Sequence, residues 1–223
     1  MKLACPQWTS VLEWDVCHPG GLILENPQDY REFIGDLSRQ AEGEEGQLAF
    51  SIEGNICSFP KEGLLIRDLW SVDINQKKLL SGVCRQLVRL GQEEYYPQAA
   101  ELLQRCEELL DKVAQDAMLP LTWESLADLS PILKAVGLQL ESPEDPIDRL
   151  LDYVHLCQEF LHIRFVVLVG VRTMLTEQEC NALCRDFAAA QLPVLFVDAL
   201  EKTMAAGERR LVLDTDRCEL VFP

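Results

Sequence analysis

The stretch from Phe165 to Asp198 constrains the fold most. Phe165–Val171, FVVLVGV, is an unbroken apolar run, the pattern of a parallel strand covered on both faces rather than of a strand with one side in water. Thr176 and Glu179 then stand in capping-box order and predict a helix through Ala190, after which Leu192–Val197 forms a second buried strand ending at Asp198. A strand, a helix and a second strand joined this closely predict a right-handed crossover, and hence an α/β architecture around a sheet with parallel strands. Leu211–Leu213 and Cys218–Val221, on either side of Asp214, Thr215 and Asp216, read as a closing β-hairpin.

The first part of the chain reads as β-rich. Val11–Trp14 alternates, Pro19-Gly20-Gly21 predicts a turn, and Leu22–Leu24 a short strand. Asn26 is an N-cap with Pro27 at the first helical position, and Phe33, Ile34 and Leu37 supply the buried stripe of the helix that follows. Leu48, Phe50 and Ile52 alternate with small or polar residues, and Gly54-Asn55 offers a two-residue turn into Ile56–Phe59. Leu64–Leu69 adds a further strand.

The middle of the chain is helical. Asp73 with Gln76 gives a capping-box pattern that predicts a helix from near Ile74. At about 100° per residue Leu79, Leu80, Val83, Leu87 and Leu90 form one apolar arc, and Lys78, Arg85 and Arg89 gather on the far side with Lys77 nearby. Tyr95–Met118 repeats apolar residues at Ala99, Leu102, Leu103, Cys106, Leu109, Leu110, Val113 and Ala117, so two successive helices with a short turn predict an antiparallel α-hairpin. Ser125 with Asp128 predicts another helix start, Gly137 its stop, and Ile147, Leu150, Leu151, Val154 and Leu161 a further amphipathic helix. The expected division is an α/β head, residues 1–72 plus 163–223, and a helical leg, residues 73–162.

Charge and composition narrow the function. A formal net charge of −17 excludes a nonspecific, broadly basic nucleic-acid binder, so any polyanion has to meet a local basic patch. The sequence has no apolar run near membrane-spanning length, and its N-terminal MKLACPQWTSVLEW has no signal core, which predicts a cytoplasmic protein without a membrane association. Nine cysteines without CxxC spacing predict reduced thiols; Cys180 and Cys184 can share a helix face, but no neighbouring His or second Cys pair completes a zinc site.

Signatures of catalysis are missing. There is no Gly-rich phosphate loop and no GxSxG elbow, and His18, His155 and His162 belong to no recognisable motif. Asp198 at a strand end, and Asp214 with Asp216 in the last turn, are the only suggestive carboxylates, and such residues serve as caps and turn formers as readily as metal ligands.

The order of elements, together with LLIRDLWSVDINQKKLL, LSPILKAVGLQLE and the closing LVLDTDRCELV, resembles the type II-A CRISPR-associated adaptation protein, the Csn-two family, from about Leu22 to Val221. The resemblance implies a head like a degenerate P-loop-like nucleotide-binding fold without its phosphate loop, a helical leg, and a homotetrameric ring without enzymatic activity. It further implies binding of double-stranded DNA ends in a basic central hole, stabilisation by calcium, and action in spacer acquisition beside the CRISPR integrase pair and the RNA-guided nuclease. Lys77, Lys78, Arg85 and Arg89 are then the DNA-facing candidates, each needing only to meet a phosphate. The calcium segment departs from the family: LPLTWESLADLS keeps only Glu124 and Asp128, with Pro120 and Thr122 where acids are expected, so Asp116, backbone carbonyls and water would have to complete the site. Two alternatives of other classes are a degenerate P-loop-like hydrolase of nucleotides or phosphodiesters using Asp198, and a scaffold that binds only proteins.

Overall fold

The computed structural model describes all of Met1–Pro223 and divides into two compact units, Met1–Val72 with Pro143–Pro223, and Asp73–Ser142. The first unit holds two sheets. A four-stranded antiparallel sheet has the order β2-β1-β4-β5, built from β1 (Lys2–Ala4), β2 (Leu12–Glu13), β4 (Ala49–Ile52) and β5 (Asn55–Ile56). A six-stranded sheet has the order β10-β9-β3-β8-β7-β6, from β3 (Gly20–Leu24), β6 (Gly63–Ile66), β7 (Phe165–Val169), β8 (Val194–Asp198), β9 (Arg209–Leu213) and β10 (Glu219–Phe222). Neighbours from β9 through β6 run parallel and only β10 is antiparallel, so the expected α/β class holds.

Every residue of β3, β7 and β8 is buried, which is why β7 and β8 read as continuous apolar runs. Helix α1 (Pro27–Ala41) begins as the sequence predicts, with the Asn26 side chain accepting from Gln28 N and Pro27 in the first turn. Its Phe33 and Leu37 join Trp14, Phe50, Phe59, Phe165 and Val197 in one apolar core. Helices α6 (Pro146–Leu161) and α7 (Glu177–Ala189) complete the unit, and α2 (Phe59–Glu62) is a single turn before β6. The Thr176–Glu179 capping box at the start of α7 forms with both of its reciprocal hydrogen bonds.

Several local expectations change. Pro19-Gly20-Gly21 is not a turn: both glycines are buried in β3, because a Cβ on Gly20 would lie 3.0 Å from the Trp14 ring and one on Gly21 2.0 Å from Glu208 Oε1. The first hairpin turns at Glu53-Gly54, one residue earlier than expected, with φ of 52° and 83°, and Ile52 faces Asn55 across it. β1 carries no strong sequence signal of its own and is held by its pairing with β4. Helix α6 belongs with the first unit rather than with the helical one, because Leu150, Val154 and Cys157 are fully buried there and Gln158 Nε2 donates to Ala190 O at 2.9 Å at the end of α7.

The second unit consists of α3 (Lys77–Glu93), α4 (Tyr96–Ala117) and α5 (Ser130–Ala135) with the segments between them. Helix α3 begins later than the Asp73–Gln76 pattern predicts. Asp73 Oδ1 instead accepts from Asn75 N at 2.8 Å in a local turn, the alternative that short acidic side chains offer to a backbone entering a helix. Asn75 closes the unit by exchanging two hydrogen bonds with the Leu140 backbone, at 3.1 and 2.7 Å. The Ser125–Asp128 pattern is likewise not a cap: Ser125 Oγ donates to Glu107 at 2.6 Å, and α5 starts at Ser130. No helix of the protein is long and apolar enough to cross a membrane.

Candidate nucleic-acid interface

Helix α3 has a packed face and a bare one. Leu79 is fully buried, Val83, Leu87 and Leu90 are half-buried, and Gly91 lets α5's lead-in approach so closely that a Cβ there would sit 2.6 Å from Leu129 Cδ1. On the other side Lys77, Lys78, Arg85 and Arg89 are all exposed. Their spacing places them within one arc of roughly 120° and along roughly 18 Å of helix axis, at 1.5 Å per residue. Lys77, Lys78 and Arg85 make no ion pair; Arg89 Nε lies 3.9 Å from Glu93 Oε2, at the limit of one. Glu93 is the one acid in α3, so the face presents concentrated positive charge within a chain of net charge −17.

Helix α4 has the opposite character. Not one of its 22 residues is buried, although it repeats apolar residues throughout. Ala99, Leu103 and Cys106 are half-buried on the side toward α3, while Leu102, Leu109 and Val113 form an adjoining stripe that stays 45%, 62% and 56% exposed. An apolar stripe of this length in water is the mark of a surface completed by another molecule.

The three calcium-ligand candidates do not converge. Asp116 is exposed in the last turn of α4, and Glu124 is exposed on the segment after it. Asp128 turns one oxygen to Ser130 N at 2.7 Å, and these hydrogen bonds from Ser130 hold its carboxyl below its ordinary value. No group of three His, Cys, Asp or Glu side chains anywhere in the chain is placed to hold a metal ion, whereas calcium takes six or more oxygens. Within one copy, Asp116, Glu124 and Asp128 do not come together as a calcium site by themselves.

The first unit holds a feature that sequence reading did not find. Arg172, just after β7, donates from Nε to Asp198 Oδ2 at 2.7 Å and from Nη1 to Glu208 Oε2 at 2.8 Å, and stacks its guanidinium 4.9 Å above the Phe196 ring. Arg210 Nε bonds the other Glu208 oxygen at 2.8 Å, and its Nη1 donates to Lys202 O at 2.7 Å. All four side chains are buried. Burial works against the charged form of Arg172, and the two carboxylates outweigh it, holding its pKa above the ordinary value. Asp198 is thus a structural ion-pair partner inside the unit, not an open carboxylate at a strand end. Asp214 is a turn former, accepting from Asp216 N and Cys218 N at 2.9 and 2.8 Å. The loop after β3 is Glu25-Asn26, spent on capping α1, so no phosphate cradle lies at the position where a nucleotide-binding α/β fold would carry one. The buried cluster was illegible beforehand because its members are far apart in sequence, although an arginine directly after a fully apolar strand was its one available signal.

Comparison with known proteins agrees with this architecture. The family described as CRISPR-associated protein (Cas_Csn2) matches over residues 40–217. Among solved structures, the crystal structure of Stu0660 of Streptococcus thermophilus superposes with a TM-score of 0.62 at 12% sequence identity, covering 95% of this chain and 74% of that one, a likeness of fold. No curated protein matches in sequence.

Proposed function

The chain belongs to the Cas_Csn2 family of CRISPR-associated proteins, which supports a role in CRISPR adaptation, and from that premise we propose that it is a non-catalytic, sequence-independent binder of double-stranded DNA ends that works as a homotetrameric ring. The observation that carries the reading is the exposed row Lys77, Lys78, Arg85 and Arg89 on α3. In a chain this acidic most of the surface repels DNA, and a cationic row that contacts phosphates admits it. The row on one copy is too short to surround a duplex, so enclosure requires copies related by closed symmetry. The open Leu102, Leu109 and Val113 stripe on α4 supplies an apolar surface for such contacts. In this reading the protein holds DNA ends in the cytoplasm during spacer acquisition, beside the CRISPR integrase pair and the RNA-guided nuclease.

The test is binding of a short linear duplex by the purified full-length protein at low ionic strength. The expected result is a complex whose affinity falls steeply as salt rises; failure to bind linear duplex at low salt overturns the proposal.

A further inference from the structure

The row on α3 gives a duplex its phosphate contacts, yet phosphates recur along the whole length of DNA, so nothing in that row tells an end from the middle. The turn directly beyond it carries a different chemistry. Between α3 and α4 the chain reads Glu93-Glu94-Tyr95-Tyr96, and all four residues are exposed, the two tyrosines by 56% and 64%. Neither phenol makes a hydrogen bond, and neither ring pairs with another aromatic side chain. The turn itself is held on both sides. Tyr95 N donates to Leu90 O at 3.1 Å, Tyr95 O accepts from Ala99 N at 2.9 Å, and Pro97 occupies the first turn of α4. Two bare aromatic rings thus stand on a fixed tip, directly continuous with the cationic face of α3.

Resting on the reading of α3 as the DNA-facing surface, we infer that Tyr95 and Tyr96 read the end of the duplex by stacking on its terminal base pair. The distances suit this. At 1.5 Å per residue the last cation, Arg89, lies roughly 9 Å along the helix axis before Tyr95, or about two to three base-pair steps of roughly 3.4 Å. A duplex lying along α3 with its phosphates on the row therefore brings its last base pairs to the tip. The charges choose between an end and a continuing duplex. Glu93 and Glu94 repel phosphates, and Arg89, 3.9 Å from Glu93 and at the limit of an ion pair, offsets one of them at most. A duplex running past the tip has to carry its backbone over both acids, whereas one that stops there presents the flat, uncharged face of a base pair to the rings. Every base has such a π-face, so stacking of this kind is tolerant of sequence, in keeping with a sequence-independent binder.

The experiment uses the full-length protein at low ionic strength and linear duplexes that carry 2-aminopurine either as a terminal nucleotide or in the middle. Stacking quenches this fluorophore, so the terminal probe is expected to dim on binding and the central probe to stay unchanged. Tyr95→Ala with Tyr96→Ala is expected to abolish the dimming and to weaken binding about 5- to 150-fold, the range that stacking on one base supplies. The slope of log affinity against log salt is expected to stay as in the native protein, because no charge is removed. Tyr95→Phe with Tyr96→Phe keeps both rings and is expected to match the native protein in affinity and dimming. An alanine variant that binds and dims like the native protein, a phenylalanine variant that loses both, or a central probe that dims as much as the terminal one overturns the stacking site and leaves the phosphate row standing. A lower assembly mass of the alanine variant in solution assigns the tyrosines to a subunit contact, which also overturns it. Failure of the native protein to bind linear duplex at all overturns the α3 reading itself, and this site with it.

Discussion

Neutralising the α3 row is the perturbation whose size can be worked most directly. Replacing Lys77, Lys78, Arg85 and Arg89 by Gln removes four phosphate contacts per copy if each residue meets one phosphate. Each contact on duplex DNA contributes about 0.9 to the slope of log affinity against log salt, so the four together account for about 3.6. Between 50 and 200 mM salt, a fourfold change, the row of one copy alone costs about 150-fold in affinity, each further copy that meets the DNA steepens the dependence, and the variant lacks that part of it. Folding is expected to be unaffected, within about 0.5 kcal/mol, because all four side chains are exposed and surface substitutions of this kind rarely matter more. The single ion pair lost, Arg89–Glu93 at 3.9 Å with side chains 66% and 63% exposed, is of the weak surface type. Fluorescence anisotropy of a labelled linear duplex across a salt series, with thermal melts alongside, measures both quantities. A variant that melts like the native protein yet keeps its affinity and its salt slope refutes the assignment of α3 as the DNA-facing surface.

Other outcomes follow from the same structure. Leu109→Glu with Val113→Glu is expected to leave the fold of the protomer intact, since both residues are largely exposed, while lowering the assembly mass in solution; an unchanged mass by light scattering places the subunit contacts elsewhere. Arg172→Ala strands Asp198 as a buried carboxylate without a cation and leaves Glu208 only Arg210, and urea unfolding is expected to show a loss of about 3–5 kcal/mol, whereas a loss below about 1 kcal/mol contradicts the cluster's structural role. Glu219 is pushed up by burial but held at about 2 by the stronger effect of hydrogen bonds from Ser10 N, Thr9 N and Thr9 Oγ, against an ordinary value of 4.5. Its carboxylate contributes stability that is fully present above pH 4.5 and is lost as pH falls toward 2, on the order of 1–2 kcal/mol after solvent screening. Glu219→Gln is expected to flatten the acid limb of a stability-against-pH curve, and an unchanged limb contradicts this.

How much of this was legible in the sequence depended on whether a signal was local. β7, α7 and β8 were readable because their burial is complete and the Thr176–Glu179 cap lies within one turn. The basic face of α3 was readable because helical period alone brings Lys78, Arg85 and Arg89 together, even though Asp73 caps a turn and not the helix. Long-range features were not. Gly20 and Gly21 look like a turn until Trp14 and Glu208, from distant segments, are seen pressing on the β3 backbone. Helix α6 shares its amphipathic pattern with α4, yet one is buried against the sheet-bearing unit and the other has no buried residue, a difference that periodicity does not encode. The acids Asp116, Glu124 and Asp128, close in sequence, are kept from acting together by the loop that Glu107 pins through Ser125 Oγ and Leu126 N at 2.6 and 2.7 Å.

The most direct test of the central claim compares one duplex sequence in two forms, linear with free ends and covalently closed into a circle, at equal concentration and low salt. A ring that admits DNA at its ends binds the linear form and leaves the closed circle free. Equal binding of the two forms contradicts the account, because a surface that grips a circle from the side has no need of ends.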